Sequence, residues 1–240
     1  LGSRISDYLI KPVNPHQILL SLKKNLDSKR LVNEKVTSSY QKEFREISMA
    51  LMDVRSLKDW EEIYQKLVHW EVELDTIDSS GMVEILEMQK SEANSQFFKY
   101  VKGNYEGWLK DGDEKPVLSH TLMKEKVFPH LRDDKSSFFI LIDNLRYDQW
   151  KILQPIVEEW FKIEEETTFC SILPTATQYS RNAIFSGLTP LDLSKRFPHL
   201  WKNDHEEGGK NLHEKEFFED QMQRVGLSNK KITYHKVVKK

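Results

Sequence analysis

A long stretch without proline constrains this fold more than any other feature of the sequence. No proline lies between Pro15 and Pro116, and glycine is absent from Leu26 to Ser80. Because these residues most often end helices, their absence permits long uninterrupted ones. Apolar residues also recur there at helical spacing, at Trp60, Ile63, Tyr64, Leu67, Trp70 and Leu74. We therefore expect an antiparallel helical bundle or a long helical connector over residues 26–130.

The start of one helix in this region is signalled locally. Ser56 followed by Asp59 forms a capping pair immediately before the apolar stripe. The next helix is expected to carry Val83, Leu86, Phe97, Phe98 and Val101. Three glycines and several charges then predict a loop over residues 103–115.

The pattern changes at Ser136, where short apolar runs begin. Residues 138–142 form a continuous apolar run, as expected for a buried parallel strand. Residues 167–173 and 232–238 read as two further strands, and residues 147–162 and 177–186 read as helices. Strands that alternate with helices predict an α/β sheet after the helical region.

Charge and cysteine usage exclude several classes of protein. The 240 residues include 36 Lys and Arg against 38 Asp and Glu, a balance that argues against a general binder of nucleic-acid backbone. A single cysteine, Cys170, excludes a disulfide framework and suits a reducing compartment. No apolar run has the length of a membrane span, and residues 1–12 lack the pattern of a signal peptide. We expect a cytoplasmic protein.

Asp143 follows the first predicted strand directly. In an open α/β sheet, ligands bind beyond the carboxyl ends of strands, where a carboxylate can hold a metal or a phosphoryl-transfer centre. The alternative is structural, because Asp143 or Asn144 could instead cap the helix that follows.

A second polar segment, residues 174–187, runs from a strand end into a helix. A threonine hydroxyl at a helix N-terminus lies beside free N–H groups, a setting that stabilises an alkoxide and binds phosphate. The alternative is that Thr175 or Thr177 merely caps the helix.

His199, His205 and His213 with Asp204 fit a solvated loop better than a metal site, because no H-x-H or H-x-x-x-H pair is present.

The string Asp7-Tyr8-Leu9-Ile10-Lys11-Pro12 resembles the end of a response-regulator receiver domain. The resemblance implies that residues 1–25 are the last strand and helix of a receiver. It also implies that Lys11 contacts the phosphorylated aspartate, which this chain does not include.

Two other motifs resemble the PglZ branch of the alkaline phosphatase superfamily. Residues 139–148 are similar to that family's first strand and its metal-binding aspartate, here Asp143. Residues 174–187 are similar to its nucleophile motif, whose register implies Thr177 as nucleophile. The resemblance implies that Asp143 and Thr177 ligate zinc, one or two ions in all, with the remaining ligands outside this chain. Residues 131–240 would be the N-terminal part of this domain, and we expect the chain to be truncated at both ends.

A receiver end, a helical middle and a PglZ domain, in this order, resemble the PorX-type response regulators of type IX secretion. The resemblance implies a metal-dependent phosphodiesterase that acts on oligonucleotides and is controlled by a cognate sensor kinase. It further implies a homodimer on phosphorylation and a secretion-system or sigma-factor partner.

Arg181, one helical turn after Thr177, could hold a phosphate oxygen or could form a surface salt bridge. The rival hypothesis for the whole chain is a signalling adaptor, in which the phosphatase-like domain is only a docking surface. A DNA-binding regulator is the weaker third hypothesis, because the charge is near neutral and no helix-turn-helix signal is present.

Overall fold

The computed structural model describes residues 9, 11, 15–77, 80–110, 115–203 and 205–237. The side chains of residues 29 and 80 are not described. The predicted receiver strand at residues 7–10 therefore lies outside the described residues, except for Leu9. Pro12, Asp204 and residues 238–240 lie outside them as well.

The chain divides into two compact units. The first comprises the described residues up to Glu106 together with Asn144–Ile163, and the second comprises Gly107–Asp143 and residues from Glu164 onward. The sequence-based domain bounds at residues 25 and 130 follow different criteria, and they stay predictions.

The first unit is helical. It contains α1 (Pro15–Met52), α2 (Leu57–Asp75), most of α3 (Ser80–Leu109) and α4 (Tyr147–Glu158). α4 packs on α2, where the rings of Tyr64 and Tyr147 lie 5.6 Å apart. The prediction of a helical middle region is confirmed.

The predicted stripe of α2 supplies much of the core of this unit. Its apolar residues pack with those of α1 and α3 into one buried cluster of Tyr40, Ile47, Leu51, Trp60, Ile63, Leu67, Trp70, Leu74, Leu86 and Ala93. The expected capping pair is also formed, because Asp59 N donates to Ser56 Oγ and Ser56 N donates to Asp59 Oδ2.

The predicted loop over residues 103–115 is wrong in its first half. α3 continues through Gly103 and Gly107 to Leu109. Glycine is unfavourable in a helix by only about 1 kcal/mol, so the burial of an apolar side chain can outweigh it. Trp108 is such a side chain, since it is only 7% exposed in the last turn.

The second unit is built from short helices around a small aromatic core. A π-helical turn (Met123–Val127) and a 3-10 turn (Phe128–His130) precede α5 (Thr177–Ser186), α6 (Pro190–Arg196) and α7 (Glu214–Arg224). α5 and α7 pack together around Phe185, Leu193 and Phe217. α5 has the predicted bounds, and it ends at Gly187, whose φ of 62° lies in the left-handed region that favours glycine.

The described residues of the three predicted strands form no ladder. The one pairing in the part of the chain that the structure describes is an isolated parallel bridge between Leu118 and Cys170. In residues 138–142, the alternate side chains Phe139 and Leu141 contact the aromatic core, whereas Phe138 is 88% exposed. This run is therefore half-buried and not a fully buried strand. The helical part of the fold class is confirmed, and the α/β sheet stays a prediction.

A membrane span would need a long apolar helix, and none of the helices in the described residues has the necessary length and hydropathy.

Candidate active site

Thr177 is the first residue of α5, and it is exposed. The N-cap position is Ala176, so no side chain caps this end of the helix. The structure thus does not place Thr175 or Thr177 in the capping role that was the alternative to catalysis. The first N–H groups of α5 and the Thr177 hydroxyl occupy the positive end of the helix dipole, which favours bound anions.

Asp143 lies at the end of the extended run 138–142, with its side chain 48% exposed. Its Oδ2 accepts a hydrogen bond from Arg181 Nη1 at 3.1 Å. The next residue, Asn144, has a φ of 60°, so the chain turns sharply after the carboxylate. The N-cap of α4 is Arg146, so this helix begins beyond both Asp143 and Asn144.

Arg181 joins two carboxylates that are distant in the sequence. While Nη1 binds Asp143, Nε lies 2.8 Å from Glu214 Oε1 and Nη2 donates to Glu214 Oε2 at 2.9 Å. Arg181 does form a salt bridge, as the sequence left open, but its own side chain is only 16% exposed. Burial opposes its charge, but Glu214 and Asp143 outweigh that effect and raise the pKa of the guanidinium.

Arg181 and Thr177 are four residues apart, so they share one face of α5. Arg181 Nη1 also contacts Asp143. The exposed carboxylate is therefore held to α5 by a guanidinium that lies one helical turn after the exposed hydroxyl of Thr177.

Glu214, the first residue of α7, is the buried anchor of the group. Its side chain is 0% exposed. Besides Arg181, it accepts a hydrogen bond from Tyr234 Oη at 2.5 Å and lies 3.4 Å from Lys236 Nζ. Burial and the hydrogen bond to Glu214 raise the pKa of the Tyr234 phenol, which therefore stays protonated and donating at neutral pH.

Hydroxyl groups tie α5 to the extended segments beside it. Ser180 Oγ lies 2.8 Å from Ser171 Oγ and 3.2 Å from Ser119 Oγ, and Ser119 Oγ accepts from Ile172 N at 3.0 Å. Because Ser119 is fully buried, these contacts fix the position of Ser180, which lies between Thr177 and Arg181 on α5.

Comparison with known protein families identifies both regions. Residues 30–109 match the PorX response regulator linker domain, and residues 122–239 match the BREX system PglZ alkaline phosphatase-like domain. The chain is thus similar to a PorX-type linker followed by a PglZ alkaline phosphatase-like domain. The resemblance that the sequence motifs indicated is therefore confirmed. No curated protein matches the chain.

In the region that matches the PglZ model, Asp143 and Thr177 offer a carboxylate and a hydroxyl, oxygen donors that a divalent metal accepts. They would supply two of its ligands. Among the residues that the structure describes, no group of three His, Cys, Asp or Glu could hold an ion. A complete site would need ligands in addition to those described.

The other predicted functional residues lie apart from this group or are only partly described. Lys11 is exposed, and both of its sequence neighbours are outside the described residues. His199 and His205 are exposed, and His213 lies 3.4 Å from Glu216 in a local pair.

Sequence reasoning missed Glu214, Tyr234 and Lys236. Each is an ordinary polar residue in a charged segment, and no motif marks it. The signal that could have found Glu214 is weak. A glutamate at the first position of a helix commonly interacts with its own helix N-terminus, so burial against an arginine 33 residues earlier could not be read from the sequence.

Proposed function

We propose that the PglZ domain is a zinc-dependent phosphodiesterase, with oligonucleotides as its substrates. The observation that supports the proposal is the hydrogen bond from Arg181 to Asp143, one helical turn after Thr177 at the start of α5. Phosphoryl transfer needs a nucleophile, a place for a metal and donors for phosphoryl oxygens, and this group offers residues for all three roles.

In this proposal, Thr177 is the nucleophile. Its Oγ1 attacks phosphorus in line, the Oγ1–P bond forms, and the bond to the leaving alcohol breaks. The hydroxyl proton passes to solvent, and the leaving oxygen takes up a proton from solvent. Water then cleaves the Oγ1–P bond and restores the threonine. The N–H groups at the start of α5 donate to the phosphoryl oxygens in both steps.

Asp143 and Thr177 would hold the zinc. Bound zinc would supply a Lewis acid that polarises the phosphoryl group and favours the deprotonated hydroxyl. Arg181 would donate to a phosphoryl oxygen from the second N–H of Nη1, since the other N–H of Nη1 is on Asp143 and Nε and Nη2 face Glu214.

The wider role that we propose is that of a cytoplasmic two-component regulator of type IX secretion. The PorX-type linker at residues 30–109 supports it. In that role, a sensor kinase phosphorylates the receiver, Lys11 senses the phosphoryl group, and the regulator dimerises. A secretion-system component or a sigma factor receives the signal.

One observation favours the rival hypothesis of a non-catalytic adaptor. Arg181 already neutralises Asp143, and an ion pair of this kind could replace a metal in a domain that has kept only its shape. The adaptor hypothesis predicts no hydrolysis by the wild type, whereas the enzyme hypothesis predicts hydrolysis that depends on zinc.

The test is hydrolysis of bis-p-nitrophenyl phosphate and a short oligonucleotide by the protein with its natural N- and C-terminal sequence. Thr177→Ala should lower turnover by about a thousandfold or more, because it removes a covalent nucleophile. It should keep much of the bound zinc, because the other ligands remain. Thr177→Ser should retain part of the activity, and Asp143→Ala should lower both zinc content and turnover.

Thr175→Ala is the matched control. Thr175 is exposed in the same segment, two residues earlier, and it should tolerate the change with near wild-type turnover. Near wild-type turnover by Thr177→Ala on both substrates would reject Thr177 as nucleophile.

A further inference from the structure

The proposed reaction leaves one buried charged residue without a role. Glu214 is fully buried, and burial of a carboxylate is costly unless its charge is paired and its oxygens are hydrogen-bonded. Arg181 and Lys236 pair the charge, and Oε2 accepts hydrogen bonds from Arg181 Nη2 and Tyr234 Oη. Oε1 lies 2.8 Å from Arg181 Nε as an ion pair without hydrogen-bond geometry. Because an apolar residue could fill the same space at lower cost, the contacts of this carboxylate indicate what it does.

The contacts fix the direction of the Arg181 guanidinium. A guanidinium is planar, with its donors in a rigid fork. Glu214 engages Nε and Nη2 along one edge, so the remaining nitrogen, Nη1, must project away from Glu214. Nη1 is the nitrogen that donates to Asp143. The orientation of the donor beside Asp143 is thus set by the carboxylate on the opposite edge.

Glu214 is itself held in place. Tyr234 Oη donates to Oε2 at 2.5 Å, and the Tyr234 ring packs on Phe185 of α5 with the ring centres 5.9 Å apart. The phenol therefore links the carboxylate to the same helix that carries Arg181 and Thr177. A rigid support of this kind is what a precisely oriented donor requires.

We infer that Glu214 is a positioning residue that acts through Arg181, with Tyr234 as its support. It holds the guanidinium so that Nη1 is presented beside Asp143, on the face of α5 that carries Thr177. This inference rests on the proposed function, because presenting Nη1 matters for catalysis only if phosphoryl transfer takes place there.

The experiment is a double-mutant cycle on kcat and KM for bis-p-nitrophenyl phosphate, in the protein with its natural termini. Glu214→Gln and Arg181→Lys should each lower kcat by about tenfold to a hundredfold, since each loses an oriented charged hydrogen bond. KM should change much less. The double variant should be no slower than Arg181→Lys alone, because both changes remove the same oriented donor.

Two further variants separate positioning from simple stability. Glu216→Gln makes the same chemical change two residues later on α7, at a side chain that is 51% exposed, and it should keep wild-type kcat. Tyr234→Phe removes one hydrogen bond to Glu214 without changing any charge. It should lower kcat by a smaller factor while the protein stays folded, so it serves as the test if Glu214→Gln does not fold.

The outcomes distinguish the inference from the function on which it rests. A wild type that hydrolyses no diester would reject the proposed function, and the inference with it. An active wild type with unchanged kcat in folded Glu214→Gln, or in Tyr234→Phe where only that variant folds, would overturn the inference alone. A double variant whose loss equals the product of the two single losses would also overturn it, because Glu214 would then act independently of Arg181.

Discussion

At the scale of single residues, Arg181 shows how a role depends on partners that are distant in the sequence. Its position one turn after Thr177 was visible in the sequence, and so was its potential to bind phosphate. Its two carboxylate partners were not, since Asp143 lies 38 residues before it and Glu214 lies 33 residues after it. Only the fold brings these three side chains together.

Thr177 and Asp143 were predictable because each belongs to a motif with defined neighbours. The structure adds that Ala176 occupies the N-cap of α5 and that Arg146 occupies the N-cap of α4. Both observations weaken the alternative that Thr177 or Asp143 caps a helix. Neither shows catalysis, so the roles of these residues stay predictions.

Ser56 and Asp59 permit a test of local stability. Ser56→Ala should lower the free energy of unfolding by about 1 kcal/mol, because it removes the side-chain cap of α2. Ser91→Ala, at an exposed position within α3, is the control and should be nearly neutral. Chemical denaturation followed by circular dichroism measures both. An equal loss in the two variants would contradict the capping account.

The same cap predicts a pH dependence. Hydrogen bonds from Arg55 N and Ser56 N lower the pKa of Asp59 below its ordinary value of 3.8. A lowered pKa in the folded state means that the ionised carboxylate stabilises the fold. Its contribution should be complete above the ordinary value and should disappear as the pH falls through the lowered one. Asp59→Asn should remove this part of the acid sensitivity in the same denaturation assay.

At the scale of elements, α1 is longer than its packing within the first unit explains. Its C-terminal half contributes Tyr40, Ile47 and Leu51 to the core. Its N-terminal half exposes a series of apolar side chains, namely Ile18, Leu19, Leu20, Leu22, Leu26, Leu31 and Val32. Exposed apolar patches of this kind mark interaction surfaces. They support a role for this half of α1 as the contact surface of the proposed homodimer.

A phosphoryl mimic tests that proposal. In the protein with its natural termini, beryllofluoride should raise the dimer fraction in sedimentation velocity, and Lys11→Ala should weaken the response. Leu22→Ser with Leu26→Ser should reduce the dimer. Met49→Ser, at an exposed apolar residue in the other half of α1, should not. Identical distributions of the wild type with and without the mimic would show that phosphorylation does not control dimerisation.

Elements differed in how well the sequence predicted them. α2 and α5 were predicted well, because a capping pair, a regular apolar stripe and a terminal glycine all act locally. The end of α3 was not, since the burial of Trp108 outweighs two helix glycines. The run 138–142 has the composition of a strand, but a ladder also requires partners, and these are set by tertiary pairing and not by local composition.

At the scale of the whole molecule, the proposed function depends on the order of the domains. The matches to the PorX linker model and the PglZ model follow each other in the order that the motifs predicted, at residues 30–109 and 122–239. A phosphatase-like domain in a regulator can act by chemistry or by docking. The central claim is that it acts by chemistry, with Thr177 as a covalent nucleophile.

The stereochemistry of hydrolysis at phosphorus tests that claim most directly. The substrate is a chiral phosphorothioate diester, hydrolysed by the zinc-loaded wild type in oxygen-18 water. Attack by Thr177 followed by attack by water makes two in-line displacements, each of which inverts phosphorus. The account therefore predicts net retention of configuration. Net inversion would mean that water attacks the diester directly, and it would contradict a covalent intermediate at Thr177.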